Sequence, residues 1–323
     1  MKTVSRILVI KLGTIGEFVL SLPAMKRIRD AHLNADVTLL TTPRFEQIAK
    51  SSRYFNHVTP EGEGGGFGHT WRVIRWIRKM KFDRIYDLEN SAFTGGLFQG
   101  LRPFPPEWSG VASGAALQHR NPARSRMHVL ERQADQLHQA GIWPDAPTTQ
   151  GMAPPPDLSW IVQRAPQGRP TAGAAKPRPY VLMAPGGSRK NPAKLWPVEN
   201  YAALAGRLHG EGYDIVVVGG PEESALARAV QHTVGRARDL TGRTDFAQIA
   251  VLGARAALAV GNDSGATHLM AAAGAPTVAL FSSESDPELV GPRGYVAILQ
   301  AADLRQLSIE QVLATAQVMI RPA

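Results

Sequence analysis

Two α/β domains, each built on a doubly wound sheet, follow from three features of the 323-residue sequence. Short β-branched runs alternate with amphipathic stretches, the pattern of βαβ units and a parallel sheet. The alternation stops at a stretch rich in Pro, Gly and Ala, residues 165–179, and then starts again. The length is enough for two domains with separate cores. The expected organisation is a domain over 1–165, a linker over 166–179, a second domain over 180–305, and a terminal helical segment, 306–323.

In the first half, RILVIK (6–11) reads as a strand and 15–31 as a helix. DVTLLTT (36–42) is a second strand, RFEQIAK a short helix, 69–80 another helix and DRIYDLEN (83–90) a third strand. Two pieces fit no regular element: the glycine loop 60–68, read as mobile, and 102–126, rich in Pro, Gly, Ser and Arg. Long irregular loops in compact domains are commonly functional or disordered. After the linker come strand 180–184, a helix near 197–210, strand 214–220 and a helix near 222–235. Helix 245–254, strand 256–261, helix 265–273, strand 276–281 and a terminal helix, 308–320, complete the pattern. Ligands of doubly wound sheets bind beyond the carboxyl ends of the strands, which singles out 11–17, 184–196, 219–223 and 261–268.

An apolar fraction of 44% and a charged fraction of 20% are those of a soluble globular protein. No run approaches the ~18 apolar residues of a spanning helix, and the first residues do not read as a secretory leader. With no cysteine there is neither a disulfide framework nor thiolate chemistry, and a cytoplasmic address is expected. The net charge of +9 is uneven: 21 basic and 14 acidic residues in 1–165, against 15 and 13 in 166–323. A basic first half suits nucleic acid, anionic lipid headgroups or a phosphorylated substrate. No recognisable nucleic-acid module or aromatic stacking platform accompanies it. Arg72, Arg75 and Lys79 lie along one side of helix 70–80, either as a solvated face or as a contact for a membrane surface or an acidic substrate. Without His-Glu-x-x-His or cysteine pairs, no metal site is expected. The absence of Gly-x-Gly-x-x-Gly after a strand argues against a dinucleotide-dependent dehydrogenase.

Four strand-end motifs carry the chemistry. APGGSRKNPAKLWP (184–197) offers close backbone approach at Gly186 and Gly187, the Ser188 hydroxyl, and the cations Arg189, Lys190 and Lys194. That is a recipe for holding phosphate, although a basic surface loop would look the same. VVVGGPEES (216–224) opens a helix with Glu222 and Glu223, which suit the helix dipole; Glu222 could equally accept hydrogen bonds from a ribose diol. AVGNDSGATHLMAAAG (259–274) concentrates Asp263, Ser264, Gly265 and His268 at one strand end. Helix capping explains Asp263 or Ser264, whereas phosphate or sugar binding explains the whole cluster. KLGTIGEF (11–18) turns through Gly13, Thr14 and Gly16 into a helix bearing Glu17. Its carboxylate fits proton abstraction at a cleft, or a stabilising charge at a helix start, and the residues alone leave both open.

Taken together, ILVIKLGTIGEFVLSLPA, APGGS…KLWP and VGNDSGATHLMAAAGAPTVALF resemble glycosyltransferase family 9, the ADP-heptose:lipopolysaccharide heptosyltransferases. FDRIYDLENS and EWSGVA through RMHVLERQADQLHQAGI look like a branch of that family. The resemblance implies a GT-B fold, two Rossmann-like domains facing across a cleft, with the terminal helix crossing back to the first. It implies an acceptor-binding first half and a donor-binding second half. ADP-heptose would be the donor, no cofactor would be required, and an anionic lipopolysaccharide-core acceptor would bring peripheral contact with the inner membrane of a Gram-negative bacterium. Carried over, Gly187, Ser188 and Lys194 match positions holding the donor diphosphate, with Lys194 stabilising the leaving group. Asp263, Ser264, Gly265 and His268 match the donor loop, and Glu222 meets the adenosine ribose. Gly13, Thr14 and Gly16 fall on the acceptor side with Asp87 and Glu89, the fallback carboxylates. At Glu17 the family pattern has an aspartate, the base of inverting transfer; the added methylene moves the oxygens by ~1.5 Å. A GT-B transferase with a different nucleotide sugar, or a weakened sugar-nucleotide or glycan binder, are the alternative expectations.

Overall fold

The computed structural model describes residues 4–61, 66–145, 153–164, 178–187 and 192–321, which form two compact units, Met1–Pro155 and Pro156–Ala323. The first contains β1 (Arg6–Ile10), α1 (Ile15–Leu20), α2 (Leu22–Ala31), β2 (Asp36–Leu40), α3 (Glu46–Ser52), β3 (His57–Thr59) and α4 (Phe67–Met80). It continues with β4 (Arg84–Asp87), α5 (Ala92–Leu101), β5 (Glu107–Gly110), β6 (Leu117–Gln118) and α6 (Val129–Gln139). All neighbours in its sheet pair in parallel, in the order β3-β2-β1-β4-β5-β6. Ile7, Leu8, Val9 and Ile10 are fully buried, as a central strand covered by helices on both faces requires. Leu8 and Ile10 join Val73, Ile74 and Ile77 of α4 and Leu97, Phe98 and Leu101 of α5 in one core.

The second unit holds α7 (Ser159–Arg164), β7 (Tyr180–Ala184), α8 (Val198–Gly210), β8 (Asp214–Val217), α9 (Ser224–Thr233) and β9 (Arg238–Asp239). Then follow α10 (Phe246–Arg255), β10 (Leu258–Asn262), α11 (Gly265–Ala272), β11 (Thr277–Ser282), α12 (Pro287–Val290), β12 (Val296–Ala301) and α13 (Ile309–Met319). Its sheet order is β12-β11-β10-β7-β8-β9, again all parallel. Numbered within its own unit, each sheet runs 3-2-1-4-5-6, the Rossmann order.

Several expectations change in detail. The helix expected over 15–31 breaks at Ser21, because Pro23 has no N–H to give the Val19 carbonyl four residues back; Glu17 O accepts both the Ser21 N–H at 3.1 Å and the Ser21 hydroxyl at 2.7 Å. The irregular stretch 102–126 contains β5 and β6, strands too short to show a period of two, although Trp108 in β5 is fully buried. Of the glycine loop, 62–65 lie outside the described residues, while Phe67 and Gly68 begin α4. The first unit ends ten residues before the boundary expected at 165: Leu158 is fully buried, and its N–H bonds Ala272 O at 3.0 Å. Most of the expected linker, 166–177, lies outside the described residues. The segment 306–323, read as separate from 180–305 and directed to the first unit, buries Val312, Leu313, Ala316 and Met319 in the core of the second.

Candidate active site

A doubly wound sheet opens a crevice where its winding reverses, at the carboxyl ends of its first and fourth strands. In the first unit that point lies between β1 and β4, and in the second between β7 and β10. The described residues of the four strand-end motifs fall at these two points or beside them.

In the first unit the chain leaves β1 and turns at Gly13, whose φ of +43° favours glycine. A capping box then starts α1: Glu17 N–H donates to Thr14 Oγ1 at 3.4 Å, and Thr14 N–H donates to Glu17 Oε2 at 3.1 Å. The carboxylate folds back over Gly13, where an added Cβ would stand 2.2 Å from Oε2. The fold-back holds the Glu17 oxygens at the helix start. Lys11 Nζ lies 3.7 Å from Glu17 Oε2 and 2.8 Å from Glu89 Oε2. Burial pushes the Glu17 pKa up, but Lys11, the Thr14 N–H and Arg132 outweigh it and leave the carboxyl below its ordinary value. With 42% of its side chain exposed, Glu17 presents an ionised carboxylate at the edge of the sheet. Capping and charge presentation are therefore one geometry. Gly16 is buried inside α1.

The two fallback carboxylates are engaged by the fold. Asp87, 1% exposed, accepts the N–H groups of Asn90 at 2.8 Å and Glu89 at 3.1 Å. Burial pushes its pKa up to about 6 against those bonds and one from Thr94, with the Glu89 charge adding to the rise. Glu89 accepts the Leu12 N–H at 3.0 Å as well as Lys11. Nearby, Asp135 Oδ2 receives His119 Nε2 at 2.7 Å and Asn121 Nδ2 at 2.6 Å, and Arg124 donates to His119 Nδ1 at 2.6 Å. Burial and the charge of Arg132 hold the Arg124 pKa down to about 10, with Asp87 and Asp135 opposing. Burial likewise lowers Arg132, against the charge of Glu17. Two half-buried guanidinium groups thus lie within electrostatic reach of the carboxylates on this edge.

In the second unit Asn262, the fully buried last residue of β10, organises the crevice. Its Nδ2 donates to Pro185 O at 2.8 Å, while its Oδ1 accepts the Trp196 N–H at 3.3 Å and the Tyr201 hydroxyl at 3.0 Å. These bonds gather the segment after β7, the 3₁₀ turn Pro192–Lys194 and the end of β10. A Cβ on Gly187 would lie 3.0 Å from Leu195 and 3.9 Å from Asp263 O, so the chain at Gly187 passes beside the loop between β10 and α11. Lys194 Nζ lies 3.6 Å from Asp263 Oδ2 and donates to Ser285 Oγ, beyond β11. Ser264 caps α11, its Oγ accepting the Thr267 N–H at 3.4 Å, with Gly265 as the first helical residue. Gly187, Lys194, Asp263, Ser264 and Gly265 are therefore brought together; His268 is buried one turn into α11. Ser188 lies outside the described residues. Glu222 is exposed on the 3₁₀ turn Pro221–Glu223 after β8. Its neighbour Glu223 is the buried one, and a Cβ on Gly186 would stand 2.6 Å from its Cγ.

The model of glycosyltransferase family 9 (heptosyltransferase) matches residues 70–307. The chain belongs to glycosyltransferase family 9. Lipopolysaccharide heptosyltransferase 2 of Escherichia coli K12 is 26% identical over 317 residues, covering 90% of this chain and 86% of that protein. The enzyme of the same name from Salmonella typhimurium is 26% identical over 312 residues, with the same coverage. Among solved structures, E. coli ADP-heptose lps heptosyltransferase II superposes with a TM-score of 0.76 at 21% identity, covering 97% of this chain and 98% of that one. A family 9 glycosyltransferase from Veillonella parvula also gives 0.76 at 21%, covering 98% and 97%. The family 9 chain is a glycosyltransferase of the GT-B fold. Among its described residues no group of three or more His, Asp or Glu side chains is placed to hold a metal ion. No described helix is long and apolar enough to cross a membrane.

The sequence assigns no role to Lys11, Ser285, Arg124 or Arg132, and marks Asn262 only as part of the polar cluster before α11 and Glu223 only as an acid suited to a helix start. Lys11 is detectable as a cation next to the glycine turn. Arg124, Arg132 and Ser285 reach their partners only through tertiary structure.

Proposed function

We propose that this family 9 glycosyltransferase moves heptose from ADP-heptose to a lipopolysaccharide-core acceptor with inversion at the anomeric carbon. The donor diphosphate rests on Gly187, Ser188, Lys194 and the amino end of α11, with Asp263, Ser264 and His268 about the donor and Glu222 on the adenosine ribose. Glu17 takes the proton of an acceptor hydroxyl, whose oxygen attacks the anomeric carbon from the face opposite the diphosphate. The sugar–phosphate C–O bond breaks, and ADP leaves with the electron pair. Lys194 and backbone N–H groups stabilise the charge that develops on the leaving diphosphate. Lys11 and the capping box hold Glu17 ionised and oriented, and Gly13 leaves the space its carboxylate occupies. Arg124 and Arg132 supply positive charge for an anionic acceptor. The reaction is placed at the cytoplasmic face of the inner membrane, where a lipid-linked acceptor is accessible.

The observation that carries this reading is the ionised, part-exposed Glu17 carboxylate at the first sheet's switch point, supported by Lys11 at 3.7 Å. Transfer from ADP-heptose to heptose-deficient core, followed by mass spectrometry, tests it: the wild type adds one heptose and Glu17→Gln adds almost none. The capping box also favours a second reading, a nucleotide-sugar binder in which Glu17 is only a helix cap. Such a protein would bind ADP-heptose and transfer nothing.

A further inference from the structure

The outward side of α4 departs from an ordinary solvated helix face. Phe67 and Trp71 are 79% and 42% exposed, with rings 6.0 Å apart, and Arg72, Arg75, Arg78 and Lys79 are exposed beside them. At 100° per residue, Phe67, Trp71 and Arg78 fall on one line along the helix, and Arg75, Lys79 and Arg72 lie to one side of it. No acidic residue occurs in α4. The line runs on into the turn after α5. Arg78, Lys81 and the 90%-exposed Phe104 border one open cavity of about 430 Å³, floored by Ile77, Phe82 and Leu101. The two acids on its wall are already matched: Asp83 accepts the N–H groups of Ser5 and Arg6, and Glu107 pairs with Arg84 at 2.6 Å. Among the described residues, every Phe or Trp that is largely exposed lies on this strip.

We infer that this strip seats the first unit on an anionic lipid bilayer. Aromatic rings favour the membrane–water interface, and arginine and lysine side chains can hold their charge among headgroups while their stems lie on apolar surface. Charge decides against a second copy of the chain as occupant, since a two-fold contact would press this basic strip against itself. The strip is also placed to be useful. All the strands of the sheet run parallel, so α4, which joins β3 to β4, runs antiparallel to them. Its Phe67 end therefore lies at the carboxyl edge, the edge that carries Lys11, Glu17 and Glu89. The inference deepens the proposed function and rests on it only for its purpose, which is to bring that edge to a lipid-linked acceptor.

Vesicle co-sedimentation of the full chain tests it, with phosphatidylglycerol/phosphatidylethanolamine vesicles against pure phosphatidylcholine. The wild type binds the anionic vesicles, and raising salt from about 0.1 M to 0.5 M weakens that binding severalfold. Arg75→Glu with Lys79→Glu reduces it by at least about tenfold, and Phe67→Ser with Trp71→Ser reduces it at unchanged salt dependence. Circular dichroism and Tm of both double variants match the wild type, because the four positions are exposed. Equal binding to both vesicle types, or wild-type binding by Arg75→Glu/Lys79→Glu, overturns the inference. So does a wild-type dimer that the substitutions dissociate without any vesicle binding. Transfer to a deacylated, water-soluble core acceptor is the separating control: both double variants keep it. Its absence in a vesicle-binding wild type sinks the transfer reading and leaves the membrane strip standing.

Discussion

Glu17 combines two demands that usually belong to different residues, closing the first turn of α1 and keeping a charge within reach of solvent. A base must be ionised to work, so its lowered pKa places the acidic limb of the rate profile below about 4.5, the ordinary glutamate value. Lys11→Ala removes the nearest favourable charge, and kcat/KM against pH should then show that limb moved upward. Glu17→Gln should lower kcat by on the order of 10²–10⁴-fold, with ADP-heptose affinity retained. Gly13→Ala should act on the same carboxylate, because its Cβ would need the space held by Oε2; transfer should fall with little change in donor binding. Asp87 behaves in the opposite sense. Its folded pKa of about 6 lies above the usual 3.8, so the folded state holds the extra proton between those values and stability falls as pH rises through that window. Asp87→Asn keeps an oxygen for the Glu89 and Asn90 N–H groups, and urea melts should show a flatter pH dependence between about 4 and 6.

Elements explain how a sequence can show a site and hide its supports. The glycine turns and the acid or hydroxyl at each helix start were legible, because the residues before α1 and α11 must reverse the chain and cap a helix within a few positions. Strands such as Ile7–Ile10 were legible as continuous apolar runs. Short edge strands were not: β3 and β6 have three and two residues, and their pairing is set by neighbours far away in sequence. β12 carries Val296 and Ile298, β-branched residues that make it readable as a strand. The supports of the site come from such distant chain too. Asn262 ties Pro185, Trp196 and Tyr201 together. Asn262→Ala should cost about 1–3 kcal/mol in chemical denaturation, because a Tyr hydroxyl and a Trp N–H would be left buried without an acceptor. ADP-heptose affinity should fall with it, the Gly187 turn having lost its anchor.

At the scale of the whole molecule, one topology is used twice. Both sheets run 3-2-1-4-5-6, so both reverse beside the first strand, and each reversal holds one half of the proposed chemistry. The two halves should separate in kinetics: Lys194→Ala should raise the donor KM and lower kcat, whereas Glu17→Gln should lower kcat alone. The first half's excess of positive charge, 21 basic to 14 acidic residues in 1–165, fits a division in which that half handles an anionic acceptor. The decisive measurement compares wild type with Glu17→Gln for heptose transfer from ADP-heptose to heptose-deficient core, with donor binding followed in the same samples by thermal shift. The account predicts equal stabilisation by ADP-heptose in both proteins, transfer by the wild type, and at least about 100-fold less transfer by the variant. Transfer by Glu17→Gln at the wild-type rate would contradict it.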